Sequence, residues 1–168
     1  MAFEIERRFL VQQNFAHSDA LARATVKICT VKQIYLKKKP GVGNPRIRSV
    51  FDWKTGKTEY FYTEKERTRD PRVRIEREHA IGKKEFTRLV GQKDSERDAI
   101  EKIRFYVLYK KQEFELDVFR SPRRIEGLTI LELEMKRANQ KIHLPPFVPV
   151  MTEITGALSN SELAKRPR

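Results

Sequence analysis

Cysteine, histidine and long apolar runs are what this sequence has least of. A single cysteine, Cys29, in 168 residues excludes a disulfide scaffold and fits a reducing interior, so a cytoplasmic location is expected. Three scattered histidines (His17, His79, His143) beside that one thiol leave no set for a closed zinc site. No apolar stretch approaches the ~18–20 residues of a spanning helix, so no membrane-embedded role is expected. Residues 1–10 alternate charged and apolar side chains and lack a signal-peptide core. There is no low-complexity linker either. One domain over residues 1–168 is expected, with 165–168 a frayed basic tail.

What the chain does have is charge. Thirty-six Lys and Arg against 23 Asp and Glu leave +13, which attracts polyanions. Ten Phe and five Tyr supply enough apolar bulk for a packed core.

Alternation of period two dominates the pattern. Strands are expected over residues 4–9, 32–37, from 46 onward, and over 60–65, 72–80, 100–109, 113–119 and 129–135. Ser18 or Asp19 caps a short helix running to about residue 25. A second helix starts near residue 83, with Phe86, Leu89 and Val90 as its apolar stripe. Turns are expected over 40–45 and at Thr55-Gly56, with a loop opening at Ser121-Pro122. Pro145-Pro146 blocks a long helix, and a turn of helix is expected near 160–164.

Charge recurs inside these strands at i,i+2. The sets are Glu4/Glu6/Arg8, Arg46/Arg48, Arg74/Glu76/Glu78, Lys102/Arg104, Glu115/Asp117 and Glu132/Glu134. Ile5, Ile47, Ile75, Ile103, Leu116 and Leu133 are interleaved with them and free to pack on the opposite face. One such pair is a solvated strand face. Six sets carrying both signs fit a closed barrel with a charged lumen, apolar outside and covered by short helices. Buried charge must be compensated. The natural filling is a divalent cation on the carboxylates and a polyanion on the guanidinium and ammonium groups. Oxygen-only ligands favour Mg²⁺ or Mn²⁺, and the planar Arg fork suits phosphate.

The run Glu4-Ile5-Glu6-Arg7-Arg8-Phe9 resembles the ExExK opening of the CYTH superfamily, the triphosphate tunnel metalloenzymes. The resemblance continues in order through Arg46-Ile47-Arg48, Arg74-Ile75-Glu76-Arg77-Glu78, Glu101-Lys102-Ile103-Arg104, Glu115-Leu116-Asp117 and Glu132-Leu133-Glu134. It reaches the closing segment around Thr152-Glu153 and Ser159-Asn160. It implies an α+β fold: an eight-stranded antiparallel β-barrel tunnel with short helices packed outside. It also implies Glu4, Glu6, Glu76, Glu78, Glu132 and Glu134 on the metal side, with Asp117 nearby. Arg8, Arg46, Arg48, Lys65, Lys102 and Arg104 would hold phosphates. Arg74 faces the same way, either as a further phosphate ligand or paired with a glutamate. In relatives a lysine beside a tyrosine is proposed as base, and the matching residues are Lys65 and Tyr35. The alternative for Lys65 is another phosphate clamp.

The chain departs from the family at Arg8, which stands where relatives carry Lys. Arg keeps the charge but is longer, planar and never deprotonated, so phosphate binding is expected to survive and Arg8→Lys to preserve or raise activity. A second departure, Ile34 before Tyr35 where relatives often have Gly, changes packing more than chemistry.

The activity implied is metal-dependent hydrolysis of a triphosphate, with inorganic tripolyphosphate as the most economical substrate. Class IV-type adenylate cyclisation and thiamine or RNA 5′-triphosphatase activity are the alternatives within the same tunnel. A homodimer is also compatible, since dimers occur among relatives. The non-enzymatic rival is a basic module binding polyphosphate or nucleic acid, to which Lys37-Lys38-Lys39 and the basic tail lend support. That rival leaves the strand-interior glutamates without a purpose, and it predicts binding that needs no metal.

Overall fold

The computed structural model describes residues 2–15, 17–38, 40, 44–67, 69 and 73–167, with backbone alone at 2–4, 66, 67, 73 and 74. Its elements are β1 (Ala2–Val11), α1 (Asp19–Ala24), β2 (Thr25–Tyr35), β3 (Asn44–Asp52), β4 (Thr58–Arg67) and β5 (Val73–Ala80). They continue with α2 (Lys83–Val90), β6 (Ile100–Tyr109), β7 (Gln112–Ser121), β8 (Thr129–Met135), β9 (Val150–Glu153) and α3 (Asn160–Leu163). The strands form one antiparallel sheet in the order β5-β4-β3-β2-β6-β7-β8-β1-β9. Strand β1 is bonded on both edges. One edge pairs Ile5–Val11 with β8, while the other is shared between β5 (at residues 2–5) and β9 (at residues 9–11).

Local chemistry explains the corners. Lys110 and Lys111 adopt φ of 46° and 62°, the two-residue geometry whose twist suits the β6–β7 hairpin. Between β3 and β4 the Asp52 carboxylate accepts from the Lys54 and Thr55 amides, and Gly56 supplies φ +67°. The Ser18 hydroxyl accepts from the Leu21 amide and caps α1.

Alternation then sorts the side chains. On β8, Leu131, Leu133 and Met135 are buried on one face while Glu132 and Glu134 occupy the other. The apolar face of β1, β6, β7 and β8 packs with Leu21 of α1 and Val148 of the segment before β9. Ile34 and Ile47 of β2 and β3 pack under Leu89 of α2, with Phe86 and Val90 alongside.

Two expectations change. Strand β2 starts at Thr25, seven residues before the expected 32, because Thr25, Val26, Ile28, Thr30 and Val31 are β-branched and the sheet accepts them as strand. The strand count is nine among the described residues, not eight. The four residues of β9 extend the shared edge of β1, and so short a segment carries no period of its own. Arg72 of the expected strand 72–80, and parts of the 40–45 turn, lie outside the described residues. Among the described residues no helix is long and apolar enough to cross a membrane.

Candidate functional site

The polar faces of eight strands converge on one cavity of about 230 Å³. Its wall contains Glu6 and Arg8 from β1, Gln33 and Tyr35 from β2, and Asn44, Arg46 and Arg48 from β3. Lys65 comes from β4, Glu76 and Glu78 from β5, Lys102 and Arg104 from β6, Glu115 from β7, and Glu132 and Glu134 from β8. Ser159, Asn160 and Ser161 at the start of α3 complete it. Among the described residues, six cations and six carboxylates share this wall.

The charges divide into two networks. On the β3–β5 side, Arg48 Nη2 donates to both oxygens of Glu78 at 2.8 Å, and the Thr63 hydroxyl donates to Glu78 Oε2 at 2.6 Å. Lys65 Nζ lies 2.8 Å from Glu76 Oε2, and Arg46 Nη2 lies 4.0 Å from Glu76 Oε1. On the opposite side, Arg8 Nε donates to Glu132 Oε1 at 2.8 Å, and Arg104 Nη2 approaches Glu132 Oε2 at 3.7 Å. Arg104 also pairs with Glu115 and, through Nε and Nη2, with both oxygens of Asp117 at 2.7 and 2.8 Å. Lys102 Nζ donates to the same Asp117.

Burial sets the electrostatics. It pushes the Glu132 carboxyl upward, but Arg8, Lys102 and Arg104 together outweigh it and hold that group well below the ordinary carboxylate value. Burial also raises Asp117, and Arg104 and Lys102 reverse the sign there too. Glu115 ends above its ordinary value: burial dominates, Arg104 opposes it, and Asp117 and Glu132 add repulsion. Desolvation lowers Lys102, reinforced by neighbouring Arg104 and countered by Asp117. Burial lifts the Tyr35 phenol against the pull of Arg46, so Tyr35 stays protonated; its oxygen accepts from Gln33 Nε2 at 2.7 Å.

All six expected phosphate cations whose side chains are described line this cavity, as do Tyr35 and five of the expected metal-side glutamates. Glu4 and Arg74 pair backbone to backbone across β1 and β5, and their side chains lie outside the described set. Among the expected metal-side carboxylates Asp117 stands apart: it is fully buried, lies outside the cavity wall, and accepts from both Lys102 and Arg104. Charge spacing gave no notice of Gln33, Asn44, Ser159, Asn160 and Ser161 as wall residues, because neutral side chains carry no alternation of sign. Glu115 was visible as the i,i+2 partner of Asp117 and belongs to the wall in its place.

Part of this donor set suits a divalent cation. Glu6 and Glu134 sit directly opposite one another across β1 and β8, both in the wall. Neither makes a hydrogen bond or ion pair with another described side chain. Like charges so placed repel unless a cation intervenes. Two carboxylates suit Mg²⁺ or Mn²⁺, which keep waters and take phosphate oxygens as remaining ligands. Among the described residues no group of three or more His, Cys, Asp and Glu side chains is placed to hold a metal ion.

No protein-family model and no curated protein matches the chain. Solved structures do. The chain is similar to the inorganic triphosphatase NE1496, with 26% identity, 98% of this chain and 95% of that chain covered, and a TM-score of 0.57. It is also similar to PH1819 from Pyrococcus horikoshii OT3 (17% identity, 81% and 80% covered, TM-score 0.58). A third likeness is to HpAC1 from Hippeastrum, a putative adenylyl cyclase with a dominant triphosphatase activity (17% identity, 80% of each chain, TM-score 0.54). The last two bear on fold alone. At the level of fold the resemblance to the CYTH superfamily stands.

Proposed function

We propose that this chain is a metal-dependent triphosphatase that cleaves inorganic tripolyphosphate to pyrophosphate and phosphate within the charged cavity. The observation that carries this is the cation set: Arg8, Arg46, Arg48, Lys65, Lys102 and Arg104, from four strands, face one enclosed space. The pairing of β1 with β5 supports reading that space as a tunnel. The likeness to NE1496 along nearly the whole of both chains supports the same activity.

Charge balance argues for the metal. Among the described residues the wall's six cations are matched by six carboxylates, so a triphosphate entering alone meets no net attraction from them. Glu6 and Glu134 are the residues that would hold Mg²⁺ or Mn²⁺. Bound there, the cation supplies charge neutralisation at phosphate oxygens and a site for orienting water. Arg46, Arg48 and Lys65 form one bank of the phosphate cradle and Lys102, Arg104 and Arg8 the other. Their fixed carboxylate partners hold them in place before the anion arrives, which lowers the reorganisation needed at the transition state. Arg48 Nε and Arg8 Nη2 are buried without hydrogen-bond partners in the wall, and phosphate oxygens satisfy both. Tyr35, kept as a phenol, retains a proton it can donate to a phosphate oxygen and is not a base. Lys65 serves as base only once Glu76 is drawn from it; while paired, it is a clamp.

The test is a product-resolved assay at alkaline pH, with tripolyphosphate and ATP each offered in Mg²⁺ and in Mn²⁺. Pyrophosphate and phosphate from tripolyphosphate, absent without metal and with little ATP turnover, is the expected result. Cyclic AMP with pyrophosphate from ATP overturns hydrolysis in favour of cyclisation, and metal-independent anion binding without turnover overturns the enzyme.

A further inference from the structure

Arg8 does more than its position in the opening motif requires. Its guanidinium is almost fully buried, with 4% of the side chain exposed. Nε is committed to Glu132, and Nη1 donates to two successive backbone carbonyls, Leu158 O at 2.7 Å and Ala157 O at 3.2 Å. Its backbone N–H donates to Thr155 Oγ1 at 3.0 Å, and its carbonyl accepts from the Ile154 amide at 2.8 Å. One residue of β1 therefore holds the chain at Ile154, Thr155, Ala157 and Leu158.

That segment is strained. Leu158 has φ +50°, a left-handed conformation that costs a side-chain-bearing residue about 1 kcal/mol or more and persists only where surrounding contacts enforce it. The Arg8 bond to the Leu158 carbonyl is such a contact. Directly beyond, Ser159 and Glu162 form a reciprocal cap that starts α3, and Asn160 and Ser161 enter the cavity wall. The far side is fixed by Arg97, whose Nη1 donates to Ser161 Oγ at 2.6 Å while its guanidinium lies 4.9 Å from the centre of the Tyr35 ring.

We propose that Arg8 is a positioning residue. It locks the strained turn at 154–158 and so sets Asn160 and Ser161 in the cavity wall, leaving only Nη2 for the anion. This is what arginine adds over lysine here. A planar fork spreads its donors over three nitrogens and reaches a carboxylate and two carbonyls together; a single ammonium nitrogen does not span them. The expectation from sequence that Arg8→Lys preserves or raises activity is thereby reversed.

The kinetic arm of the test rests on the triphosphatase reading, whereas the exchange arm needs no substrate. Amide hydrogen exchange is followed in the full chain, wild type against Arg8→Lys, with β6 and β7 as internal reference. Amides within 154–163 are expected to exchange about tenfold faster or more in the variant, with β6 and β7 unchanged. KM for tripolyphosphate with Mn²⁺ is expected to rise about tenfold while kcat moves less than about threefold. Unaltered exchange in 154–163 overturns the proposal. Should Arg8→Lys not fold, Thr155→Val removes one anchor from the other side; roughly threefold faster exchange in the same segment supports the proposal, and no change overturns it. A wild-type chain that leaves tripolyphosphate intact sinks the function proposed above, while the exchange result still decides the role of Arg8.

Discussion

Asp117→Asn separates an anchoring carboxylate from a metal-binding one. The substitution keeps the shape of the side chain and removes its charge at a fully buried site where Lys102 and Arg104 both donate to it. Losing one member of a buried ion network leaves the others uncompensated, at about 3–5 kcal/mol. For a chain of this size that is a fall in Tm of about 10 °C. The pH dependence carries a sign as well. Asp117 has a folded-state value depressed below its unfolded value of about 3.9, so its contribution is complete above that pH and is lost as pH falls through the folded value. The variant lacks that acid-side loss. Its deficit should instead shrink as pH rises, because Lys102, already lowered by burial, can shed its proton whereas Arg104 cannot. Thermal unfolding between pH 3 and pH 10, with and without Mn²⁺, reads all of this. An Asp117→Asn chain with wild-type Tm that no longer responds to Mn²⁺ would refute the anchoring role and return Asp117 to the metal.

Three further outcomes are expected. Glu6→Gln should abolish metal-dependent turnover while raising metal-free stability by about 0.5 kcal/mol, since it relieves the repulsion from Glu134; calorimetry with a turnover assay checks both. Glu78→Ala should also abolish turnover, because it strips Arg48 of both carboxylate contacts, and its circular dichroism should remain that of the wild type. Tyr62, raised to about 12 by burial and by its hydrogen bond to Glu64, should stabilise the fold fully below its unfolded value of about 10. That contribution is lost as pH rises through about 12, and denaturant titrations of Tyr62→Phe should lack the alkaline slope.

The face on which each charge lies was legible in the sequence; its partner was not. Period two placed Glu132 and Glu134 on the same side of β8, and both line the cavity. Yet Arg8 and Arg104 hold Glu132, while Glu134 stands opposite Glu6. That difference comes from the register of β1 against β8, a long-range quantity that no local spacing encodes. Asp117 shows the same limit: its i,i+2 relation to Glu115 is true, but the alignment of Arg104 with Asp117 across β6 and β7 decides which of the two is clasped below the wall. Helices α1 and α2 were readable because caps and apolar stripes are local. The short β9 was not, since four residues gain strand geometry only from the β1 edge they join.

The pairing of almost every cation with a carboxylate has a functional consequence that net charge conceals. The chain carries +13 overall, so its field draws polyanions from a distance. Among the described residues the cavity wall is balanced at six against six and offers no such excess. An anion therefore gains from entering by exchanging partners with the glutamates and by satisfying the unpartnered Arg48 Nε and Arg8 Nη2. Under the proposed function a divalent cation at Glu6 and Glu134 would supply two charges that tip the exchange. A surface-bound nucleic acid would meet the outer lysines without needing that step. Metal dependence of binding, measured at fixed ionic strength, thus distinguishes the cavity from the surface: tripolyphosphate affinity should collapse on chelation, and affinity for single-stranded RNA lacking a 5′-triphosphate should not.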